Sequence, residues 1–360
     1  MSPLSPSSED QPTEDRPFRV DAGGDVNSSA LEVEAAGIEA EEAGYDGALV
    51  TETRHDPFIG IALAARVTKR INLATSIAVA FARNPMTTAM VANDLNLLSE
   101  GRFALGLGSQ IKPHIERRFS MEWSHPAARM ADFVRAIRVI WQSWETGEAL
   151  KYTGEFYRHT LMTPFFDPGP NPHGNPPIWL AGVGERMTEV AGEVADGFIS
   201  HSFTTRRYLT EVSMPALRRG RDRAGRDSEN LGICMPALVA IGADQAALDA
   251  AIQATRKQIA FYGSTPAYRP VLELHGWGEL SVKLNAGSRR GEWDAMADLI
   301  DDEVLAAFAV VGAPREVATA LVDRFGGLVE RVSFNAPYAV APGTFRDLLA
   351  ALHDKTVSPA

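Results

Sequence analysis

The run Thr51-Glu52-Thr53-Arg54-His55 places a carboxylate, two hydroxyls, a guanidinium and an imidazole within five positions. Imidazole is the one side chain whose ordinary pKa lies near neutrality, so His55 is a candidate proton carrier. Asp56 stands before Pro57 and is better explained as a helix cap, and Glu52 with His55 lacks a third ligand at any recognisable metal spacing. A second charged group, Lys112, His114, Glu116, Arg117 and Arg118, could bind an anionic tail or polarise a carbonyl, with His114 as its proton carrier. The plainer reading of that run is a solvated face. Gly106-Leu107-Gly108, followed by Ser109 and Gln110, is no dinucleotide fingerprint, because the third glycine would fall at Ile111. Its glycines would let a flat ring approach the backbone, or they belong to an ordinary loop. Gly182-Val183-Gly184 precedes a helix from Glu185, so its free N–H groups could hold a phosphate, unless the segment is only a tight turn. Glu185 would repel that anion unless turned away, and Arg186 could offset it.

These residues need elements to position them. Strand-like stretches are expected at Phe18–Asp21, Gly47–Thr51, Ile71–Ile77, Arg102–Leu107, Pro177–Ala181, Gly197–His201, about Gly232–Ile241 and Glu330–Asn335, with helical patterns between them. Helices start near Asn27, at Asp56-Pro57 and at Asn84-Pro85, and a long amphipathic one covers about Pro126–Glu145. Gly44 and Gly101 end the first and third helices. Trp141 and Trp144, at helical spacing, read as core. A hairpin is expected around Thr153-Gly154, then an inserted Pro/Gly-rich loop from Thr163 to Pro177, which with the Tyr262–Asp302 stretch should build the substrate pocket. The stretch Tyr262–Asp302 is too long for a simple connection and should add short helices over the mouth, where they could act as a lid. Eight strands in this alternation predict a (β/α)8 TIM barrel with insertions, whose catalytic groups come from the carboxyl ends of the strands. Those ends carry Asp21, the Thr51–His55 run, Ser76-Ile77, Gly106 to Gln110, Ala181 to Gly184, His201, the region of Ala237, and Asn335.

At 360 residues, with 45% hydrophobic and 22% charged side chains, the chain can bury one large core, expected over residues 17–360. Residues 1–16 have almost nothing to bury and read as a disordered tail. The lone Cys234 and the absence of a signal-like or membrane-length apolar run point to the cytoplasm, with no membrane contact. A formal net charge of -11 opposes nucleic-acid binding.

Five segments, in order, carry a family likeness: Ala43-Gly44-Tyr45-Asp46-Gly47; Ala74-Thr75-Ser76-Ile77; Asn84-Pro85; Ser99-Glu100-Gly101-Arg102-Phe103 with Gly106-Leu107-Gly108; and Ala195-Asp196-Gly197-Phe198. Over Phe18 to Asn335 the chain resembles the luciferase-like monooxygenase superfamily, specifically its coenzyme F420-dependent oxidoreductases. The resemblance implies a tricyclic ring in the barrel mouth, on a strand-three bulge with a non-proline cis peptide at Ser76-Ile77. It places Glu52, Thr53, Thr75, Ser76, Ile77, Gly108, Ser109 and Gln110 around the ring and the phosphate on Gly182, Val183 and Gly184. Lys112 and Arg117 would meet the acidic tail of the coenzyme. Two departures stand out. In the sugar-phosphate dehydrogenase branch a histidine follows the acidic residue ending strand two, but here Thr53 follows Glu52, and that branch's acidic residue after strand four falls on Ile111. Glucose 6-phosphate is therefore not expected as substrate, and His55 or His114 would have to handle the proton. The leading expectation is hydride transfer between deazaflavin and an organic small molecule. The rivals are a reduced-FMN monooxygenase, in which the pocket shields a flavin peroxide from water, a non-catalytic deazaflavin-binding barrel, and, last, a metal-dependent hydrolase. Relatives of this kind commonly pair through helices beside the second and third strands, so a homodimer is expected.

Overall fold

A computed structural model describes residues 18–23, 28–227 and 231–354. The tail expected at residues 1–16 and the helix start expected at Asn27 lie outside the described residues. The chain opens with β1 (Arg19–Gly23), α1 (Ala30–Ala43), β2 (Gly47–Val50), α2 (Pro57–Val67), β3 (Asn72–Thr75), the two-residue β4 (Ala78–Val79), α3 (Pro85–Leu98) and β5 (Phe103–Gly108). There follow α4 (Lys112–Arg117), α5 (Pro126–Thr146), a hairpin of β6 (Tyr152–Thr153) and β7 (Arg158–His159), β8 (Ile178–Ala181), α6 (Glu185–Val194) and β9 (Gly197–Ile199). The last part contains α7 (Arg206–Tyr208), α8 (Met214–Arg223), β10 (Gly232–Ile241), α9 (Gln245–Gly263), α10 (Arg269–Leu274), α11 (Gly278–Arg290), α12 (Trp293–Ala297), α13 (Asp302–Phe308), β11 (Ala309–Gly312), α14 (Pro314–Phe325), β12 (Arg331–Asn335) and α15 (Thr344–His353).

The expected punctuation operates through identifiable bonds. Asp56 Oδ1 accepts the Phe58 N–H at 2.9 Å and Asn84 Oδ1 accepts the Thr87 N–H at 3.0 Å, each ahead of a proline at the first helical position, where a missing N–H costs no bond. Ser29 begins α1 with a reciprocal capping box to Glu32. Gly44 ends it at φ 90°, a conformation that a Cβ disfavours.

Eight parallel strands close in the order β1-β2-β3-β5-β8-β9-β10-β12, with β12 returning to β1 through Arg19↔Arg331 and Asp21↔Ser333. All six residues of β5 are buried, as expected of a strand covered on both faces. Trp141 and Trp144 of α5 are core residues.

Three features differ from the sequence reading. β1 runs two residues past Asp21, so Asp21 lies inside the barrel, not at its mouth. Its carboxylate is fully buried and takes both the Nε (2.7 Å) and the Nη2 of Arg331, whose Nη1 reaches Asn72 Oδ1 at 3.4 Å. Burial opposes the guanidinium charge, but the facing carboxylate outweighs it and raises the Arg331 pKa. Second, β11 is an additional strand. The pairing of β10 with β9 ends at Cys234 and with β12 at Leu238, so Leu238–Ile241 overshoots the barrel and pairs with β11 instead. The expected short helices of the Tyr262–Asp302 stretch are α10, α11 and α12, and they build a second apolar core around Phe203, Leu272, Leu284 and Phe308.

Third, the Thr163–Pro177 loop is fastened through its Asn171–Gly174 part to the amino end of the barrel, not to the mouth. It leads from the β6–β7 hairpin to the amino end of β8, and the amino ends of the strands lie on the face opposite the mouth. Its contacts fix it there. Asn171 Nδ2 donates to Asn93 O at 3.0 Å, Asn96 Nδ2 donates to Gly174 O at 2.8 Å, and His173 packs by Gly101 ahead of β5.

Removing one member of a buried ion pair strands the other charge. Asp21→Ala should therefore lower unfolding free energy by about 3–5 kcal/mol in urea titration, whereas the double variant Asp21→Leu/Arg331→Met, which removes both charges, should lose less than that single change. A single-variant loss under about 1 kcal/mol would show that the pair does not organise the interior.

Candidate active site at the barrel mouth

The mouth is built around an interruption. The ladder of β3 stops at Thr75, a cis peptide joins Ser76 to Ile77, and pairing resumes in β4 against the end of β5. The loop after β2 ties this bulge down. Thr51 Oγ1 donates to Ser76 O at 2.9 Å, the Glu52 N–H donates to Ile77 O at 3.2 Å, and Glu52 Oε2 accepts the Val79 N–H at 2.7 Å. Arg83 completes the arrangement by donating to Glu52 Oε2 and Asp56 Oδ2, both at 2.6 Å, with its guanidinium 5.1 Å from the Phe58 ring centre.

Several expected ring contacts are thereby relocated. Glu52 is buried and its Oε2 serves Val79 and Arg83, so it shapes the bulge from behind. Thr75 is fully buried, its hydroxyl donating to Gly106 O (2.7 Å) and accepting from Gly106 N (2.9 Å), so its side chain joins strands and does not face the mouth. A methyl on Gly106 would fall inside the Thr75 carbonyl oxygen, and one on Gly108 would lie 2.8 Å from Ile77 Cγ1. These glycines exist to accept the neighbouring bulge, and the side chain that covers Gly108 is Ile77. Thr53, Ser76, Ile77, Ser109 and Gln110 are half-buried around this opening. Gln110 holds a left-handed φ of 60° and its Oε1 accepts the Ile111 N–H at 3.0 Å. His55 and His114 are exposed on the rim, as are Lys112, which pairs with Glu116 at 3.7 Å, and Arg117. Arg118 donates across the rim to the Thr53 carbonyl.

Gly182-Val183-Gly184 turns from β8 into α6, whose cap, Gly184, supplies no side-chain bond. The first-turn N–H groups of the helix are left to point outward. The Glu185 carboxylate pairs with Arg219 of α8, which counters the repulsion it would exert on an anion there. A methyl on Gly182 would stand 3.2 Å from the Phe198 ring and from Thr188 N, so only glycine fits this turn without a shift. Past the neighbouring strand β9, the buried Thr204 hydroxyl has no hydrogen-bond partner among the described residues.

Sequence reading missed two parts of this site. Arg83 precedes a helix and gives no local sign of carboxylate partners 27 and 31 residues away. His201 was visible at the end of its strand, but not its surroundings. Its ring lies 4.6 Å from that of Tyr268 in a stacked pair and 4.8 Å from that of Tyr262 edge-on, both from the helical cover. Thr205 Oγ1 and His275 Nε2, 2.8 Å apart, fasten the same cover to the β9 loop.

The barrel, its bulge and its glycine turn define a class. Residues 16–331 match the family model described as luciferase-like monooxygenase, and the chain belongs to that family. It is 54% identical over 314 residues to an uncharacterized protein of Mycobacterium tuberculosis, covering 87% of this chain and 92% of the relative. It is 28% identical over 287 residues to the 5,10-methylenetetrahydromethanopterin reductase of Archaeoglobus fulgidus, covering 77% and 81%. Among solved structures, the coenzyme F420-dependent tetrahydromethanopterin reductase of Methanopyrus kandleri superposes with a TM-score of 0.73 at 19% identity, over 93% of this chain and 97% of that one. The oxygenating constituent of 3,6-diketocamphane monooxygenase of Pseudomonas putida, in complex with FMN, superposes with a TM-score of 0.66 at 17% identity, over 94% and 98%. The chain is an oxidoreductase whose cofactor is a deazaflavin or a flavin. Among the described residues no helix is long and apolar enough to cross a membrane.

Burial pushes His201 down to about 4. A histidine whose folded pKa lies below its unfolded value contributes its full stability above about pH 6.5 and loses it as pH falls toward 4, because the unfolded chain takes up the proton first. Wild type should therefore lose about 2–3 kcal/mol more than His201→Gln between pH 7 and pH 4.5. Urea midpoints at the two pH values measure this, and equal losses would place His201 in water.

Proposed function

We propose that the protein is a coenzyme F420-dependent oxidoreductase that transfers a hydride between the deazaflavin and an organic small molecule. The observation that carries this reading is the pairing, at one mouth, of the Ser76-Ile77 bulge with an uncapped helix start at Gly182-Val183-Gly184 whose own acidic residue is paired with Arg219. A flat ring needs a shaped backbone platform, and a phosphate needs unpaired N–H groups. The unpartnered Thr204 hydroxyl adds a donor in the same region. When bound, the deazaflavin supplies the redox chemistry, and the protein supplies position and electrostatics. Thr53, Ser76, Ile77, Ser109 and Gln110 line the ring, Gly182 to Gly184 hold the phosphate, and Lys112 and Arg117 meet the acidic tail. His55 and His114, both exposed, exchange protons with solvent at the rim. The substrate pocket belongs to the α9–α12 cover.

The same reading puts the enzyme in the cytoplasm as a homodimer. Leu31 and Ile38 of α1, Ile59 of α2, and Met90 and Leu97 of α3 are exposed, and a second copy of the chain would bury them. Light scattering should give twice the 39.0 kDa chain mass, and Met90→Glu/Leu97→Glu should give the monomer. A monomeric wild type at micromolar concentration would remove this part of the proposal.

Titrating the apoprotein with oxidised F420 and, separately, FMN, by quenching of ligand fluorescence, tests the cofactor. Selective F420 binding is expected, weakened about tenfold or more by Gly182→Ala, which crowds the phosphate turn. Selective FMN binding would establish the monooxygenase reading in its place.

A further inference from the structure

His201 is oriented by a bond that leaves no choice of tautomer. The Phe203 main-chain N–H donates to its Nδ1 at 2.9 Å, and a main-chain N–H can only donate. Neutral imidazole must then carry its proton on Nε2, and the group facing that atom at 3.1 Å is Tyr268 Oη. Tyr268 therefore accepts from His201 and keeps its own hydroxyl hydrogen for another partner. None of the described residues takes it. The phenol is held in place by the stacked His201 ring, by Tyr262 at 6.0 Å and by Phe203 at 5.6 Å, yet it is only partly buried.

The loop that carries His201 leaves the same end of the barrel as the bulge. Ile199, two residues before His201, packs into the inner layer of the barrel together with Ile77. The ladder continues one residue further, from Ser200 N to Cys234 O at 2.9 Å, before the chain reaches His201. Burial pushes the phenol up to about 12 and the imidazole down to about 4, so both stay neutral over the working range of an enzyme.

We propose that Tyr268 is the catalytic hydrogen-bond and proton donor to the oxygen of a carbonyl substrate, an aldehyde or ketone, with His201 as its positioning residue. The inference rests on the hydride-transfer reading given above. In the reducing direction a hydride from the reduced deazaflavin adds to the carbonyl carbon, the C=O π pair moves onto oxygen, and that oxygen takes the Tyr268 proton. The phenolate left behind accepts from His201 Nε2–H and regains a proton from water. The carbonyl becomes an alcohol and the deazaflavin is oxidised. Alcohol oxidation runs the same steps in reverse.

Two measurements decide the matter. The first needs no cofactor: 15N NMR of histidine-labelled protein at pH 7, with His201 assigned by loss of its signal in His201→Gln. The Nε2–H tautomer is expected, and an Nδ1–H tautomer overturns the positioning role. The second begins with F420 binding by fluorescence quenching, followed by reduced F420 with a panel of C3 to C8 aldehydes and ketones, and oxidised F420 with the corresponding alcohols. Tyr268→Phe should bind F420 within about twofold of wild type and lose about 100-fold in kcat. His201→Gln, which keeps an N–H within reach of the phenol, should retain about tenfold more activity than His201→Ala. Tyr268→Phe turnover within threefold of wild type would overturn the proposal, as would a wild type that binds F420 but converts no member of either panel. A wild type that fails to bind F420 would instead refute the function proposed above, and the tautomer would then judge the pair alone.

Discussion

Asp21 and Arg331 meet inside the barrel, and much of the interior is arranged around them. They sit on β1 and β12, the two strands whose pairing closes the ring. β2 must pass with glycine at residue 47, because a methyl there would stand 2.8 Å from Arg331 Nη2 and closer still to Asp21 Oδ1. β3 offers Asn72 Oδ1, and β8 sets the Trp179 ring 5.8 Å from the guanidinium carbon. Two charges taken from water are compatible with folding only when each is met with good geometry, so five strands are bound to one register by one pair. Leu49, Ala74, Ala104, Ile199 and Cys234 form an apolar layer with Ile77, Trp179 and Ala181, and the catalytic face lies beyond it. The Cys234 thiol in that layer is buried and is driven above its ordinary pKa by burial and by the Asp21 carboxylate, which disfavours the thiolate.

The strands that make the ring were legible because parallel strands covered on both faces write near-continuous apolar runs, bounded here by capping and glycine signals. β11 was not. Its four residues, Ala309 to Gly312, follow directly on α13 without a turn residue between them, and its partner is the overhang of a strand seventy residues earlier. Asp21 was misplaced for a related reason: a charged residue reads as the end of an apolar strand, whereas its partner, 310 residues away, lets the strand carry it inward. The anchoring of the Thr163–Pro177 loop was legible in part from connectivity, since its last residues must enter the amino end of β8.

At the mouth, glycines and backbone groups were readable and long-range side-chain pairs were not. Gly182 announced itself by local pattern, whereas the Ser76-Ile77 bulge came from the family resemblance, because the apolar pattern alone runs strand three unbroken to Ile77. Arg83 and Tyr268 acquire their roles only through tertiary contacts with Glu52 and His201, which no spacing rule connects. The helical cover is where family members of one fold can diverge, because loops on a fixed barrel change without disturbing its closure.

The 310-residue separation of the closing pair also has a temporal meaning. At ribosomal rates of 5–20 residues per second, Asp21 waits roughly 15 to 60 s after its own synthesis before Arg331 exists to receive it. During that interval β1 has neither its last neighbour nor its counter-charge, and its carboxylate is best kept hydrated. The nascent barrel is thus an open, incomplete sheet with an unpaired edge on β1 for nearly the whole of translation. In refolding of the finished chain Arg331 is present from the start, so that enforced wait belongs to synthesis alone.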